Sequence, residues 1–295
     1  MVKSKIPAWI QLLRPYQWIK NGFVLLPVVF SEKLGDLHAL GPVFGAFAIF
    51  CAASSAVYIA NDLADANADK LHPIKKWRPL AQGGFSPTIA MIMAAGLGVS
   101  ALAFALMLNG KLGVCIAAYI LGNLFYSRLL KHVVILDVMS IGFFFLLRVI
   151  SGAVVISVNV SEWLLICSAI LALFLGFNKR RHEIITTGSA ADQHRYVLGK
   201  YSVYFIDQMI AVLTASTVIF YTLYTVDAHT VARFGTKGLL YTVPFVYYGI
   251  FRYLYLVHKR RQGGDPSRIM MKDRMLQLNV ILWLAAAISV IYFFK

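Results

Sequence analysis

Apolar residues run through this chain in long blocks, not at the 3.6- or 2-residue spacing of half-buried helices and strands. A helix that crosses a bilayer needs about 20 mostly apolar residues. Nine stretches fit that description, the first least well: 20–34, 39–61, 88–108, 111–129, 133–157, 161–179, 202–226, 238–257 and 277–294. No repeat of fixed period, low-complexity tract or soluble domain interrupts them. The pattern predicts an all-α polytopic membrane protein, a single domain over 1–295 with nine transmembrane helices. Residues 1–19 are basic and amphipathic, with Trp9, Tyr16 and Trp18 suited to headgroup depth, and predict an interfacial helix. They carry no small-residue cleavage site of a secretory signal.

Composition narrows the class. At 59% hydrophobic and 14% charged residues, with mean hydropathy +0.71, the chain is not a soluble domain. Its net charge of +15 is one-sided. The N-terminus and every second loop hold 21 Lys and Arg residues, and the intervening loops and C-terminus hold five. That asymmetry puts the N-terminus in the cytoplasm and the C-terminus outside, in a cytoplasmic (inner) membrane. It also accounts for the basic excess without a nucleic-acid partner, through topology and attraction to anionic lipid. Cys51, Cys115 and Cys167 are scattered through apolar runs and read as small hydrophobes.

Topology does not explain the acids. Nine of the 13 Asp and Glu residues fall on the same cytoplasmic side as the cations. In "YIANDLADANADKLHPIKKWRPLAQG", Asp62, Asp65 and Asp69 recur at i, i+3 and i+7, one face of a helix over two turns. They end a membrane helix, where ionisable groups are functional candidates. Carboxylates so close repel unless a cation lies between them, and Asn61 adds an amide oxygen. The spacing suits Mg²⁺, which takes one or two carboxylates and bridges to substrate phosphates, and it does not suit an EF-hand. No His or Cys lies near enough for zinc. Lys75 and Arg78 follow and can neutralise the outer oxygens of a diphosphate. Asp62, Asp65 and Asp69 are thus the expected metal ligands and catalytic carboxylates, facing the cytoplasm.

"NDLADANAD" followed by "RPLAQG" resembles the first aspartate-rich motif of the UbiA superfamily of intramembrane prenyltransferases. The resemblance covers nearly the whole chain. It implies nine helices around a central cavity and Mg²⁺-dependent loss of diphosphate. Three segments depart from members that prenylate aromatic rings. Ile74-Lys75 replaces the Arg-Thr usual before Arg78. "GFNKRRHEI" stands where a second aspartate-rich motif belongs, and the last cytoplasmic loop reads "GGDPSRIMMKDRMLQL". Together they resemble the decaprenyl-phosphate phosphoribosyltransferase branch, which makes phosphoribosyl lipid for cell-wall arabinan. The implied partners are phosphoribosyl diphosphate, a polyprenyl phosphate and the bilayer, and the implied enzyme is a pentosyltransferase.

One carboxylate cluster among many cations also suits two highly charged substrates on chemical grounds. The expected substrate contacts are Lys20, Asn61, Lys75, Arg78, Tyr126, Lys131, Lys179, Glu183, Asp273 and Arg274. Lys179 and Glu183 are spaced i, i+4 and read as phosphate and ribose or metal contacts, against a helix-end ion pair. Asp265 before Pro266 reads as an N-cap. Asp137 and Arg148 read as an internal acid–base pair. Two alternatives stay open: prenyl transfer to an aromatic or quinone precursor, and ion transport. A homo-oligomer is also left open.

Overall fold

The computed structural model describes residues 7–71, 75–187, 196–259 and 263–294. Among them there is no strand; the fold is helical throughout. In chain order the α-helices are α1 (Ala8–Leu13), α2 (Leu26–Phe30), α3 (Leu37–Ala64), α4 (Ala66–Leu71), α5 (Pro87–Leu108), α6 (Gly110–Arg128) and α7 (Leu136–Val155). They continue with α8 (Glu162–Thr187), α9 (Val203–Val226), α10 (Ala228–Phe234), α11 (Val243–His258), α12 (Pro266–Lys272) and α13 (Arg274–Phe293). Six of these, α3, α5, α7, α8, α9 and α13, are long and apolar enough to cross a membrane.

Two of the remaining predicted spans are composite. The 20–34 stretch falls in a 3₁₀ run, Pro15–Leu25, that passes into the short α2. Pro27 explains the switch, since its ring would clash with the carbonyl four residues back and it donates no N–H. Pro244 does the same in 238–257, which divides into a 3₁₀ turn, Gly238–Thr242, and α11. Elsewhere local chemistry sets the ends. Asn109 caps α6 by accepting from the Lys111 and Leu112 N–H groups, and Ser202 caps α9 through Phe205 N–H.

Two of the packed cores frame the polar end of the bundle. In one, α3 lies against α5 and α6 around Phe50, Ile116 and Tyr119, with α7 closing the face through Phe144 and Leu147. In the other, α7, α8, α9 and α11 meet around Val138, Phe174, Ile206 and Tyr253. Isoleucine, phenylalanine and methionine side chains such as Met91, Phe104, Ile219 and Phe251 remain on the outside, as lipid-facing helices require.

The N-terminal 3₁₀ run is pressed between α3 and α7. Gly152 on α7 permits this: a Cβ there would stand 2.0 Å from the Val24 carbonyl oxygen. Gly152→Ala therefore has to push the run outward. Thermal unfolding in detergent should show a loss of about 1–3 kcal/mol, the usual cost of overpacking; an unchanged midpoint would mean that the N-terminal run is not docked there.

Candidate active site

The Asp62 motif closes α3, but the helix does not run straight through it. It ends at Ala64, and Asp65 takes φ −94° and ψ 1° before α4 begins. Backbone bonds from Asp65 N–H to Asn61 and from Asp69 N–H to Asp65 carry the chain across the break. The three carboxylates therefore separate instead of stacking. Asp62 and Asp69 are buried and share one guanidinium: Arg78 Nη1 lies 2.9 Å from Asp62 Oδ1 and 2.6 Å from Asp69 Oδ2. Arg14 also donates to Asp62. Asp65 turns to Lys131 instead, at 3.4 Å. Burial alone would lower the Arg14 guanidinium, but Asp62 together with Tyr16 and Tyr58 offsets it and holds the group above its ordinary range.

These residues open on a cavity of about 1060 Å³. Its wall includes Lys20, Asn61, Asp62, Asp65, Arg78, Tyr126, Lys131 and Lys179. From Lys179 it follows α8 back to Glu162 and Trp163, about 26 Å at 1.5 Å per residue. The middle is apolar, with Phe144, Leu171, Leu175, Val246 and Trp283 on the wall. A polar rim leading to an apolar chamber suits an amphiphile with a charged head.

Four of the expected residues lie off this wall. Asp69 acts behind Arg78. Glu183 accepts from Arg180 Nη1 and stands 4.0 Å from Lys179. Asp273 caps α13 by accepting from Leu276 N–H and pairs with Arg252 at 2.7 Å; Arg274 follows it at the start of that helix. The Lys75 side chain lies outside the described residues. Asp265 caps α12, as its Asp-Pro setting predicts, and also accepts from Gln17 at 2.7 Å. That contact holds α12 at the cavity mouth, where Pro266, Ser267 and Met270 join the wall.

The expected Asp137–Arg148 pair does not form. The two lie three turns apart on α7, about 16 Å along its axis, so they cannot touch. Asp137 instead accepts from Arg180 Nε at 2.6 Å and from the Tyr201 hydroxyl at 2.7 Å, while Tyr201 accepts from Ile135 N–H. Burial, helped by the bond to Asp137, pushes the Tyr201 hydroxyl above its ordinary pKa, so it stays a donor. Arg180 reaches on to Tyr126 at 3.2 Å. Arg148 instead turns to Asn21, Tyr119 and the Phe144 carbonyl. Sequence reasoning also passed over Arg14, whose place in the basic N-terminus disguised its reach to Asp62.

Among the described residues no three His, Cys, Asp or Glu side chains form a ready cage for a metal ion. The donor set still fits Mg²⁺. Asp62, Asp65 and Asn61 present hard oxygens to one cavity, and Mg²⁺ takes one or two carboxylates and fills its shell with water and substrate phosphate.

The description of the UbiA prenyltransferase family matches residues 24–281. The chain belongs to that family. Among its relatives are the decaprenyl-phosphate phosphoribosyltransferases of Mycolicibacterium smegmatis and Mycobacterium tuberculosis H37Rv. The first is 28% identical over 99% of this chain and 94% of its own length. The second is 29% identical over 96% of this chain and 94% of its own. The fold is that of a UbiA homolog from Archaeoglobus fulgidus bound to DMAPP and Mg²⁺, with TM-score 0.69 and 18% identity over 97% of this chain and all of that one. This UbiA-family protein is thus a membrane transferase, and its cavity is the candidate active site.

The support behind that site is testable through Asp137. Arg180 and Asp137 are 1% and 0% exposed, so removing the carboxylate strands a buried guanidinium. Asp137→Ala should cost about 3–5 kcal/mol of stability. A shift of under about 1 kcal/mol in detergent unfolding would show that Glu183 suffices for Arg180.

Proposed function

We propose that this UbiA-family transferase moves a 5-phosphoribosyl group from phosphoribosyl diphosphate to a polyprenyl phosphate of the decaprenyl type, releasing diphosphate. The reaction uses Mg²⁺ at the cytoplasmic face of the cytoplasmic membrane. The observation that carries the reading is the inequality of the cavity's two walls. Acids line it at the end of α3, while the end of α8 offers Lys179 beside an Arg180-bound Glu183. A prenyl diphosphate, anionic at one end only, is served by two acidic metal-binding walls. A donor with a diphosphate and a separate 5-phosphate needs cations on the second wall. The names of the mycobacterial relatives support the same choice.

In this reading Asn61, Asp62 and Asp65 hold Mg²⁺, which when bound neutralises the leaving diphosphate. Arg78 holds Asp62 in place and, with Lys131, meets the outer diphosphate oxygens. Lys179 takes the 5-phosphate, and Glu183, held by Arg180 behind the wall, supports Lys179 from 4.0 Å. Asp273 and Arg274 act at a distance, through the seating of α12 and α13. The acceptor oxygen attacks the anomeric carbon, forming the new C–O bond as the bond to diphosphate breaks and its electrons leave with that group. A phosphomonoester has its second pKa near 6, so the acceptor is already an anion at neutral pH. No side chain need remove a proton. The Lys and Arg asymmetry supports a cytoplasmic N-terminus, and nine crossings would follow if the composite segments and α6 also span.

Asp65 is the cleanest test because it faces the cavity with 43% of its side chain exposed and little packing depends on it. Asp65→Asn should reduce diphosphate release on the order of 100- to 1,000-fold, the scale of one lost electrostatic contact to a leaving group, while the unfolding midpoint holds. Lys179→Ala should weaken donor binding by about 1.5–3 kcal/mol and affinity for lipid phosphate less. Near-normal turnover in Asp65→Asn would remove the metal assignment.

A further inference from the structure

Arg148 is a cavity cation that the donor reading leaves unused. It sits midway along α7, 3% exposed, yet it contributes to the cavity wall. Its Nε donates to Asn21 Oδ1 at 2.8 Å, Nη1 to the Phe144 carbonyl at 2.7 Å and Nη2 to the Tyr119 hydroxyl at 3.1 Å. The guanidinium also lies 4.8 Å from the Tyr119 ring centroid, 5.5 Å from Phe145 and 5.6 Å from Phe50. No carboxylate pairs with it among the described residues. All its partners are neutral. Three of a guanidinium's five N–H groups are committed, and two remain.

A cation so placed is expensive inside a membrane protein unless an anion meets it. The neighbourhood makes the imbalance larger. Lys20, next to the Asn21 that Arg148 grips, has Asp265 as its nearest acidic influence and feels the positive charges of Arg148 and Arg14, while Lys179 has Glu183 and feels Arg180 and Lys20. Lys20 and Lys179 both line the cavity. Lys20 makes no side-chain hydrogen bond among the described residues. Arg14 and Arg78 are answered by Asp62, and Lys131 by Asp65. Arg148 is therefore bonded to neutral partners alone, and Lys20 beside it makes no ion pair among the described residues, Asp265 acting on it without a contact.

Their depth identifies the anion. Arg148 lies about 16 Å farther along α7 than Asp137, where the polar rim gives way to aromatic and aliphatic wall. A water-soluble phosphate has no reason to pass that boundary, whereas a phosphate monoester on an apolar chain must lie at it, its tail in the chamber and its head toward the rim.

We infer that Lys20 and Arg148 form the subsite for the phosphate of the lipid acceptor, apart from the Asp62–Asp65 wall that takes the donor diphosphate. The inference rests on the phosphoribosyl-transfer reading and adds where the nucleophile waits. Arg148, anchored on three sides, offers its two remaining N–H groups as a fork to one phosphate, and Lys20 supplies a mobile second charge. A phosphate held there approaches the donor from the chamber side while diphosphate departs toward the rim.

The test measures binding of two probes, farnesyl phosphate and phosphoribosyl diphosphate with Mg²⁺, to purified wild type, Arg148→Gln, Arg148→Lys and Lys20→Met. Farnesol, the same tail without charge, is the control. Wild type should bind farnesyl phosphate at least about tenfold more tightly than farnesol, the scale of one charge-assisted contact. Lys20→Met and Arg148→Gln should each remove about tenfold or more of that preference and leave phosphoribosyl diphosphate binding within about threefold. Arg148→Lys should restore part of it. Lys20 carries the test without a folding role, because no packing bond depends on its ammonium. Farnesyl phosphate binding unaltered in Lys20→Met, or equal losses for both probes in both variants, would overturn the inference. Absence of phosphoribosyl diphosphate binding in wild type would instead strike the donor reading, and it is read from a separate arm.

Discussion

The architecture depends on one constraint: a charge carried into an apolar helix bundle must find an opposite charge or a set of dipoles. The contact between Arg180 and Asp137 is where the constraint acts most strongly. Both side chains are buried, and their pairing binds the C-terminal part of α8 to the start of α7. Tyr201 extends the tie to the backbone at Ile135, and Tyr126 extends it to α6. Three helices, α6, α7 and α8, and the segment leading into α9 are thereby fixed around one edge of the cavity. Lys179, the residue before Arg180, has its backbone set by that contact and its side chain left to the cavity.

The opposite wall follows the same rule with the signs exchanged. Asp62 and Asp69 are buried acids, and Arg14 and Arg78 answer them. Arg14 reaches Asp62 only because the N-terminal 3₁₀ run lies against α3 and α7, an approach that Gly152 permits. The N-terminal segment therefore contributes directly to the site wall through Arg14. Asp65, bent out of line by the break between α3 and α4, is the acid left most open to the cavity. The resulting site has an acidic wall, a basic wall and an apolar chamber beneath, a layout that supports the proposed joining of a soluble donor with two anionic groups to an amphiphilic acceptor.

Much of this was legible in the chain because hydrophobic length and charge sidedness are one-dimensional signals. The long apolar runs give α3, α5, α7, α9 and α13 within a few residues and the start of α8, whose charged end runs on to Thr187 past the apolar stretch; the acidic motif falls at the end of α3 as its position implies. The order of Asp265 and Pro266 announced an N-cap. Three-dimensional pairing was less visible. Asp137 and Arg148 share a predicted helix, but only residues one turn apart on a helix can meet, and the true partner of Asp137 lies 43 positions downstream. Asp62, Asp65 and Asp69 have helical spacing, yet the turn at Asp65 divides them between Arg78 and Lys131. Arg14 and Arg148 were hidden differently, one among interfacial cations and the other in an apolar run, and only the packing of the N-terminal segment makes sense of both.

The central claim is that this cavity exists to join a phosphorylated sugar to a lipid phosphate. The most direct measurement incubates the purified protein with Mg²⁺ and phosphoribosyl diphosphate labelled in the ribose, with and without polyprenyl phosphate, and extracts the lipid. Label should enter the lipid phase only when polyprenyl phosphate is present, with one diphosphate released for each ribose transferred. Binding of a prenyl diphosphate with Mg²⁺, together with no binding of phosphoribosyl diphosphate and no labelled lipid, would contradict the account and return the protein to prenyl transfer.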